Sequence, residues 1–385
     1  MASATPFRIA FFSARAYDQE SFQVALDTEL FAGKFDCTFY DVALDLKTAP
    51  LAVEADAICI FVNDTCNAET LKWLHRYSKV KMILLRCAGF NNVDLAVAAS
   101  CKMSIARVPA YSPYSVAEHA IALTMALNRK IHKAYLRNRE GNYSLQGLVG
   151  FDMHGRTVGI VGTGNIGIIA AKIFLGFGCK VLAQSRSQVK ELVDLGVEYV
   201  GIDELCARCD IISLHAPLLP ATQYIINGER IALMKKGVLI INTSRGGLLD
   251  TAAAVEGLKS GQVGGMGLDV YEREAGMFFS DHTGEVLKDD LFHQLVNYPN
   301  VIVTGHQAFL TVDALANIAE TALSNAAEFI EGVPLSNEIK ADEDACAKAV
   351  RVKAAGQWKM MVSATTLART HTGPSTYFDV DPEEQ

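Results

Sequence analysis

The chain has 385 residues, which exceeds one ordinary domain and predicts two. Half of the residues are hydrophobic and a fifth are charged, as is typical of globular proteins. A net charge of −8 gives no reason to expect nucleic acid or an anionic membrane as a partner. Because we find no secretory signal pattern and no apolar run of membrane-spanning length, we expect a cytoplasmic protein.

The nine cysteines are spread widely, and several lie in apolar runs, which favours reduced, buried thiols over disulfides. Cys206 and Cys209 form a lone C-x-x-C pair, with no second pair and no histidine at ligand spacing. A metal site is therefore not expected.

Strand and helix patterns alternate from the N-terminus. The predicted strands are 7–12, 37–44, 57–62 and 81–87, and the predicted helices are 21–31 and 67–78. This alternation predicts a parallel sheet with helices on its faces. The polar turn at 88–94 then follows a strand, at the edge where ligands of open α/β sheets bind.

Residues 115–135 are apolar on nearly every side and predict one long helix, buried at a domain boundary or an oligomer interface. Pro109 and Pro113 precede it and mark the passage into a second domain. The basic cluster at 130–139 is interpreted as the solvated side of a helix.

The second domain opens with TVGIVGTGNIG (157–167), in which a β-branched strand runs into G-x-G-x-x-G and then into a helical stretch. Gly162 allows the tight turn, Gly164 lets backbone approach a pyrophosphate, and Gly167 lets the helix pack closely on the strand. The helix N-terminus offers its N–H groups to the phosphates. The stretch predicts a dinucleotide site.

The remaining patterns complete a second doubly wound sheet. Its predicted strands are 157–162, 180–185, 198–201, 210–216, 237–244, 263–271 and 301–306, and its predicted helices are 165–177, 187–195, 202–208, 227–234 and 250–259. A helix at 314–332 would return the chain to the first domain. We therefore predict a discontinuous substrate domain (1–110 and 305–340), a dinucleotide domain (111–304) and an extension (341–385) with a helix at 350–367.

Three polar motifs follow apolar strands of the second domain, at 242–247, 269–274 and 304–309. All three are expected to open on the crevice of the glycine loop. Hydride addition to a ketone requires a proton donor, for which histidine is well suited, and a nearby carboxylate stabilises an imidazolium. The planar fork of an arginine can hold a substrate carboxylate.

Each of these side chains also has a simpler interpretation. Arg245 could form a surface ion pair, and His306 could be a satisfied buried histidine. Asp269 could hold a loop. Spacing alone does not choose between Glu272 and Glu274 as the carboxylate.

Seven segments, taken in order, carry a resemblance to a known family. They are RCAGFNNVDL (86–95), VPAYSPYSVAEHA (108–120), VGTGNIG (161–167), LHAPL (214–218), NTSRGGLLD (242–250), LDVYERE (268–274) and TGHQAFLT (304–311). Together they resemble the D-isomer-specific 2-hydroxyacid dehydrogenases. FFSDHTG (278–284) is a further mark of the D-lactate dehydrogenase group.

The resemblance implies two α/β domains with doubly wound parallel sheets, a Rossmann-type dinucleotide domain and a flavodoxin-like substrate domain, with a cleft between them. It implies reversible reduction of pyruvate to D-lactate by hydride transfer from a nicotinamide cofactor. It also implies a homodimer or homotetramer that pairs through the 115–135 helix.

The resemblance also implies roles for individual residues. Arg245 would bind the substrate carboxylate and carbonyl, His306 would donate the proton, and Glu274, rather than Glu272, would assist His306. The further substrate-binding positions are Ala88, Gly89, Tyr111 and Phe309. The cofactor-binding positions are Gly162, Gly164, Asn165, Ile166, Gly167, Ala216, Pro217, Thr243, Ser244 and Asp269.

One position departs from the family's pattern. The resemblance implies NAD(H), but Ser185 stands where the family has an aspartate for the adenosine ribose, and Arg186 follows it. Without the carboxylate, a 2′-phosphate is no longer repelled, which predicts that NADP(H) is used at least as well. The alternative is that Ser185 bonds the ribose, Arg186 faces water and NADH is preferred.

Two other functions remain open at this point. The same chemistry could act on a bulkier 2-keto acid, since pocket size beside Tyr111 and Phe309 cannot be read from the sequence. A nucleotide-sensing corepressor could also share this fold and its catalytic side chains.

Overall fold

The computed structural model describes residues 5–340. They form two compact units, one of residues 5–14, 33–107 and 324–340 and the other of 15–32 and 108–323. Residues 15–32 and 305–323, which the sequence assigns to the first domain, group with the second unit. The extension 341–385, with its predicted helix at 350–367, lies outside the described residues.

The helices and strands alternate along the described chain. In chain order they are β1 (Phe7–Phe11), α1 (Ala16–Leu26), β2 (Phe35–Phe39), β3 (Ala57–Ile60), α2 (Ala68–Tyr77), β4 (Met82–Leu85), α3 (Leu95–Ser100), β5 (Ser104–Arg107), α4 (Pro113–Asn128), α5 (Ile131–Arg139), β6 (Thr157–Val161), α6 (Asn165–Gly176), β7 (Lys180–Gln184), α7 (Lys190–Asp194), β8 (Glu198–Tyr199), α8 (Ile202–Arg208), β9 (Ile211–Leu214), α9 (Gly228–Leu233), β10 (Val238–Asn242), α10 (Thr251–Ser260), β11 (Val263–Leu268), α11 (Asp290–Asn297), β12 (Val301–Val303) and α12 (Val312–Glu331). Short 3-10 helices occupy Ala49–Ala52 and Gly246–Leu248.

The first unit is built on a five-stranded parallel sheet in the order β2-β1-β3-β4-β5. This is the flavodoxin-like strand order, so the predicted fold of this unit is confirmed. Every residue of β3 and β4 is buried. Their uninterrupted apolar sequences are those of strands covered on both faces.

The second unit is built on a seven-stranded parallel sheet in the order β12-β11-β10-β9-β6-β7-β8. The strand β6 lies between β7 and β9, where the strand order reverses, and the glycine loop follows it directly. Ligands of such sheets bind at this switch point. The Rossmann-type arrangement predicted for this unit is thereby confirmed.

The prediction of a single long helix at 115–135 is wrong. The chain forms α4 and α5 instead, because Lys130 adopts a left-handed conformation with φ 55°. The end of α4 is held by Asn128, whose side chain donates to the Phe151 carbonyl and accepts from the Phe151 N–H, both at 2.8 Å. Such a distant backbone contact leaves no local pattern in the sequence.

Two short helices, α3 and α11, are absent from the sequence interpretation. Asp94 caps α3 by accepting from the Val97 N–H at 3.2 Å, and Asp289 caps α11 by accepting from the Phe292 N–H at 3.0 Å. An aspartate three residues before an apolar position is a recognised helix start, so this signal was available. Within residues 5–340, none of the helices combines the length and apolar character needed to cross a membrane.

Candidate active site

The glycine loop after β6 has the geometry that its three glycines predict. Gly162 adopts a φ of +97°, a region that favours glycine. A Cβ on Gly167 would collide with the Gly162 carbonyl oxygen, so helix and strand pack too closely for a side chain. Among residues 5–340, no atom apart from those of its chain neighbours lies within 4 Å of the Cβ position of Gly164, which leaves this side of the loop open to a ligand.

Two buried polar atoms follow directly after β9 and β10, the next two strands of the sheet beside β6. The backbone of His215 and Ala216 packs against Gly162, and Ser244 Oγ donates to the Ala216 carbonyl at 2.7 Å. Within residues 5–340, His215 Nδ1 and Thr243 Oγ1 are buried and have no hydrogen-bond partner. Because buried polar groups are normally paired, a polar ligand at this crevice is the natural partner for them.

His215 makes the free energy of unfolding of the protein depend on pH. Burial lowers the pKa of His215 to about 4 from an ordinary value of 6.5. The unfolded chain therefore takes up a proton near pH 6.5, whereas the folded protein does so only near pH 4. The free energy of unfolding therefore decreases as the pH falls from about 6.5 to about 4, by roughly 3 kcal/mol over the whole range.

We expect the free energy of unfolding of the wild type to fall about 2 kcal/mol more than that of His215→Asn between pH 7 and pH 4.5. Asparagine does not titrate in this range, so the difference isolates the histidine. Urea unfolding at both pH values measures it. Equal losses in the two proteins would contradict the expectation.

Ser185 and Arg186 follow the end of β7. The carbonyl of Gln184, the last residue of this strand, accepts from the Gly162 N–H at 2.7 Å. Ser185 is half-buried and Arg186 is exposed. Both residues therefore lie beside the glycine loop, in the position from which the second strand of a Rossmann unit reads the adenosine ribose.

The Asp269 side chain, which follows β11, ties together the turn after β12. Its carboxylate accepts from the Thr304 hydroxyl at 2.5 Å, from the Gln307 N–H at 2.8 Å and from the Ala308 N–H at 2.9 Å. Its backbone carbonyl accepts from the His306 N–H at 2.8 Å. These contacts give Asp269 a structural role in holding His306, in addition to the cofactor contact that the resemblance predicts.

His306 lies against a carboxylate. Its Nδ1 is 2.8 Å from Glu274 Oε1, while Glu274 Oε2 accepts from the Tyr271 N–H at 2.9 Å. The Glu272 carboxylate accepts instead from the Tyr224 hydroxyl at 2.8 Å. The structure thus brings Glu274, and not Glu272, to the histidine. The side chains of His306 and Glu274 are 20% and 24% exposed, so the pair is accessible to a small ligand.

Arg245 lies in the loop after β10. Its guanidinium donates to the Ser244 carbonyl at 2.7 Å, and its own carbonyl accepts from the Asn242 side chain at 2.9 Å. A Cβ on Gly246 would collide with the Tyr271 backbone, so this loop packs directly on the turn that leads to Glu274. In the described chain, no hydrogen bond or ion pair joins Arg245 to Glu274 or His306.

Two aromatic residues predicted to line the substrate pocket contact each other. The rings of Tyr111 and Phe309 have centroids 6.1 Å apart and meet edge to face. The Tyr111 carbonyl accepts from the Asn317 side chain at 2.6 Å. The paired rings form an apolar surface, and Phe309 follows His306 by three positions in the sequence.

The Ala88–Gly89 peptide lies in the first unit, after β4. The Arg107 guanidinium donates to the Ala88 carbonyl at 2.7 Å, and the Cys87 thiol donates to the Gly89 carbonyl at 3.2 Å. In a trans peptide the N–H points opposite to the carbonyl, so Arg107 turns the Gly89 N–H away from itself. The sequence analysis did not single out Arg107 as a residue that orients this peptide. An arginine at the carboxyl end of a strand, such as Arg107 at the end of β5, is a pattern that could have drawn attention to it.

Comparison with known proteins shows the family. Residues 121–308 match the family model of the D-isomer specific 2-hydroxyacid dehydrogenase, NAD binding domain. The 2-hydroxyacid dehydrogenase homolog 1 of Schizosaccharomyces pombe is 50% identical over 323 residues, covering 84% of this chain and 96% of that protein. The D-lactate dehydrogenase of Escherichia coli is 45% identical over 332 residues, covering 86% of this chain and 99% of that protein.

Among solved structures, the pyruvate reductase of Chlamydomonas reinhardtii superposes with a TM-score of 0.82 at 46% identity, covering 88% of this chain and all of that chain. The chain therefore belongs to the D-isomer-specific 2-hydroxyacid dehydrogenase family. It is an oxidoreductase that acts on CH–OH donors and contains an NAD-binding domain.

Proposed function

We propose that the protein catalyses the reversible reduction of pyruvate to D-lactate. The observation that carries the proposal is the 2.8 Å contact between His306 Nδ1 and Glu274 Oε1 at the carboxyl edge of the dinucleotide-binding sheet. The similar proteins from Escherichia coli and Chlamydomonas, whose names specify D-lactate and pyruvate, support this substrate class.

His306 is the proposed proton donor. Glu274 accepts a hydrogen bond from the Nδ1–H group, which fixes the orientation of the ring and stabilises the positive charge of the imidazolium. The proton on Nε2 is then the one delivered to the oxygen of the forming alcohol. The bound nicotinamide supplies the hydride. In the oxidative direction His306 accepts the proton.

Arg245 is the proposed substrate anchor. Within residues 5–340, its bond to the Ser244 carbonyl uses one of its five N–H donors, which leaves donors for a carboxylate and a carbonyl oxygen. A planar fork of fixed charge suits this double contact. The Ala88–Gly89 amides are proposed to bind the substrate carboxylate, and Tyr111 and Phe309 to line the pocket.

The experiment that tests this function is a substrate panel. The values of kcat/KM for pyruvate and for branched and aromatic 2-keto acids are measured with NADH and with NADPH. We expect pyruvate to be reduced at ordinary enzyme rates and to be preferred. A preference of tenfold or more for a bulkier 2-keto acid would show that this acid, and not pyruvate, is the substrate. Tight nucleotide binding with negligible turnover of every acid would indicate a nucleotide-sensing corepressor instead of an enzyme.

We further propose that NADPH is used at least as well as NADH. The support is that Ser185 supplies no carboxylate beside the glycine loop and that Arg186 is exposed next to it. Ser185→Asp restores the carboxylate and is expected to lower kcat/KM for NADPH at least about tenfold while that for NADH is kept, because like charges repel.

The matched control for this cofactor prediction is Ser260→Asp. It adds the same charge at an exposed position just before β11, at the sheet edge opposite to the glycine loop, and is expected to change neither cofactor's kcat/KM more than about twofold. A wild-type preference for NADH of a hundredfold would contradict the prediction.

We also propose a homo-oligomer. Ile131, Tyr135 and Leu136 on α5 and Leu145 and Val149 after it are exposed, the last two by 80% and 85%. Clustered exposed apolar residues mark association surfaces. Sedimentation velocity at micromolar concentration is expected to show a dimer or a tetramer, and a monomer would refute the proposal.

A further inference from the structure

A second histidine lies beside the residues that hold His306. His119 on α4 places Nε2 3.1 Å from Thr304 Oγ1 and 3.5 Å from Asp269 Oδ1. Its side chain is 18% exposed and that of Asp269 only 1% exposed. His119 belongs to none of the contacts assigned to substrate or cofactor above.

The donors in this cluster can be assigned one by one. The Asp269 carboxylate accepts N–H groups on both of its oxygens, from Gln307 and from Ala308, so both oxygens act as acceptors. The Thr304 hydroxyl has a single hydrogen, and Asp269 Oδ1 at 2.5 Å is a much nearer acceptor for it than the Leu268 carbonyl at 3.5 Å. Thr304 can then only accept from His119, so His119 Nε2 must carry a hydrogen.

The result is a directed chain of hydrogen bonds from His119 through Thr304 to Asp269. A buried carboxylate needs all its partners, because an unpaired buried charge is strongly destabilising. With the two amides and the hydroxyl, His119 completes the surroundings of Asp269.

This chain ends at the backbone that carries the proposed proton donor. The Asp269 carboxylate holds the two amides that follow His306, and the Asp269 carbonyl accepts from the His306 N–H. His306 itself has a φ of 58°, a left-handed conformation that non-glycine residues keep only when their surroundings impose it. The contacts of Asp269 fall on the N–H group of His306 itself and on those of the two residues after it.

We propose that His119 is a positioning residue for His306, acting through the Thr304 hydroxyl and the Asp269 carboxylate. It donates from Nε2, keeps Asp269 oriented, and so holds the turn that aims His306 at Glu274. The proposal deepens the proposed function, because it rests on His306 as the proton donor.

The kinetic test compares two replacements of His119. Leucine has a similar volume and no donor, whereas glutamine keeps an N–H donor at about the reach of Nε2. In pyruvate reduction we expect His119→Leu to lower kcat about tenfold or more, with the KM values for pyruvate and cofactor within about threefold of wild type. His119→Gln is expected to retain kcat within about threefold.

The matched control is His293→Leu. His293 is also half-buried, and its Nε2 lies 2.8 Å from the Leu287 carbonyl oxygen, away from the cluster. This variant loses one histidine hydrogen bond as well, and kcat is expected to stay within about twofold. Unchanged kcat in His119→Leu, or equal loss in the leucine and glutamine variants, would overturn the proposal.

A second pair of variants covers the case in which His119→Leu does not fold. Thr304→Val removes the relay hydroxyl at nearly constant shape, and Thr304→Ser keeps it. We expect kcat of the valine variant to fall about tenfold and that of the serine variant to stay near wild type. Equal kcat in these two variants would contradict the relay.

A spectroscopic measurement separates this proposal from the proposed function. Nitrogen-15 NMR of the histidine-labelled full chain reports which ring nitrogen of His119 is protonated and requires no turnover. A protonated Nε2 is expected, and a non-protonated Nε2 would refute the proposal. A wild type without turnover of any 2-keto acid refutes the proposed function, and the NMR result then decides on His119 alone.

Discussion

Replacement of His306 by glutamine is expected to lower kcat for pyruvate reduction at least about 100-fold. Glutamine can still hydrogen-bond to Glu274, but it cannot deliver a proton to the forming alcohol. General acid–base catalysis is worth roughly 10²–10⁴ in rate, which sets the expected size. The measurement is kcat at saturating cofactor and substrate, with the KM of the cofactor expected within about threefold of wild type.

The control for this prediction is His293→Gln, which makes the same chemical change at a histidine outside the site and is expected to leave kcat within about twofold. If kcat of His306→Gln fell by less than about tenfold, His306 would not be the proton donor. The 2.8 Å contact with Glu274 would then be only structural.

Replacement of Arg245 by glutamine is expected to lower kcat/KM for pyruvate by about two to four powers of ten. Hydrogen bonds to charged groups contribute about 1.5–3 kcal/mol each, and the proposed anchor makes two. A factor of ten corresponds to about 1.4 kcal/mol. Arg245→Lys keeps the charge but loses the planar fork, so its kcat/KM should lie between those of glutamine and wild type.

Arg273→Gln is the matched control for Arg245. Arg273 lies in the neighbouring loop with its side chain 63% exposed, 3.9 Å from Asp289, and its loss is expected to change kcat/KM no more than about twofold. Similar effects of the two substitutions would show that Arg245 acts only through the overall charge of this face.

The features that sequence predicted well are those with a local cause. The strand–turn–helix at 157–167 follows from three glycines whose conformation and packing leave little choice, at Gly162 and Gly167 in particular. The two sheets follow from apolar strands that alternate with helices, since parallel strands need crossover connections. The break between α4 and α5 coincides with a distant contact, that of Asn128 with Phe151, and the pattern of 115–135 carries no trace of this contact.

In the candidate active site, too, the features that depend on distant contacts could not be predicted from the local sequence. Glu272 and Glu274 are equivalent by spacing. The resemblance favours Glu274, and the tertiary structure separates the two physically, by pairing Glu272 with Tyr224 and Glu274 with His306. His119 escaped notice because it meets Thr304 across 185 positions of sequence. Histidine on an apolar helix is, without its neighbours, most simply interpreted as a core residue.

The most direct test of the central claim is the chirality of the product. Pyruvate is incubated with the wild-type protein and reduced nicotinamide cofactor, and the lactate formed is resolved by chiral chromatography. The proposal predicts D-lactate as essentially the sole enantiomer, formed at ordinary enzyme rates and lost in His306→Gln. Formation of L-lactate, or no turnover by a protein that binds the nucleotide tightly, would contradict it.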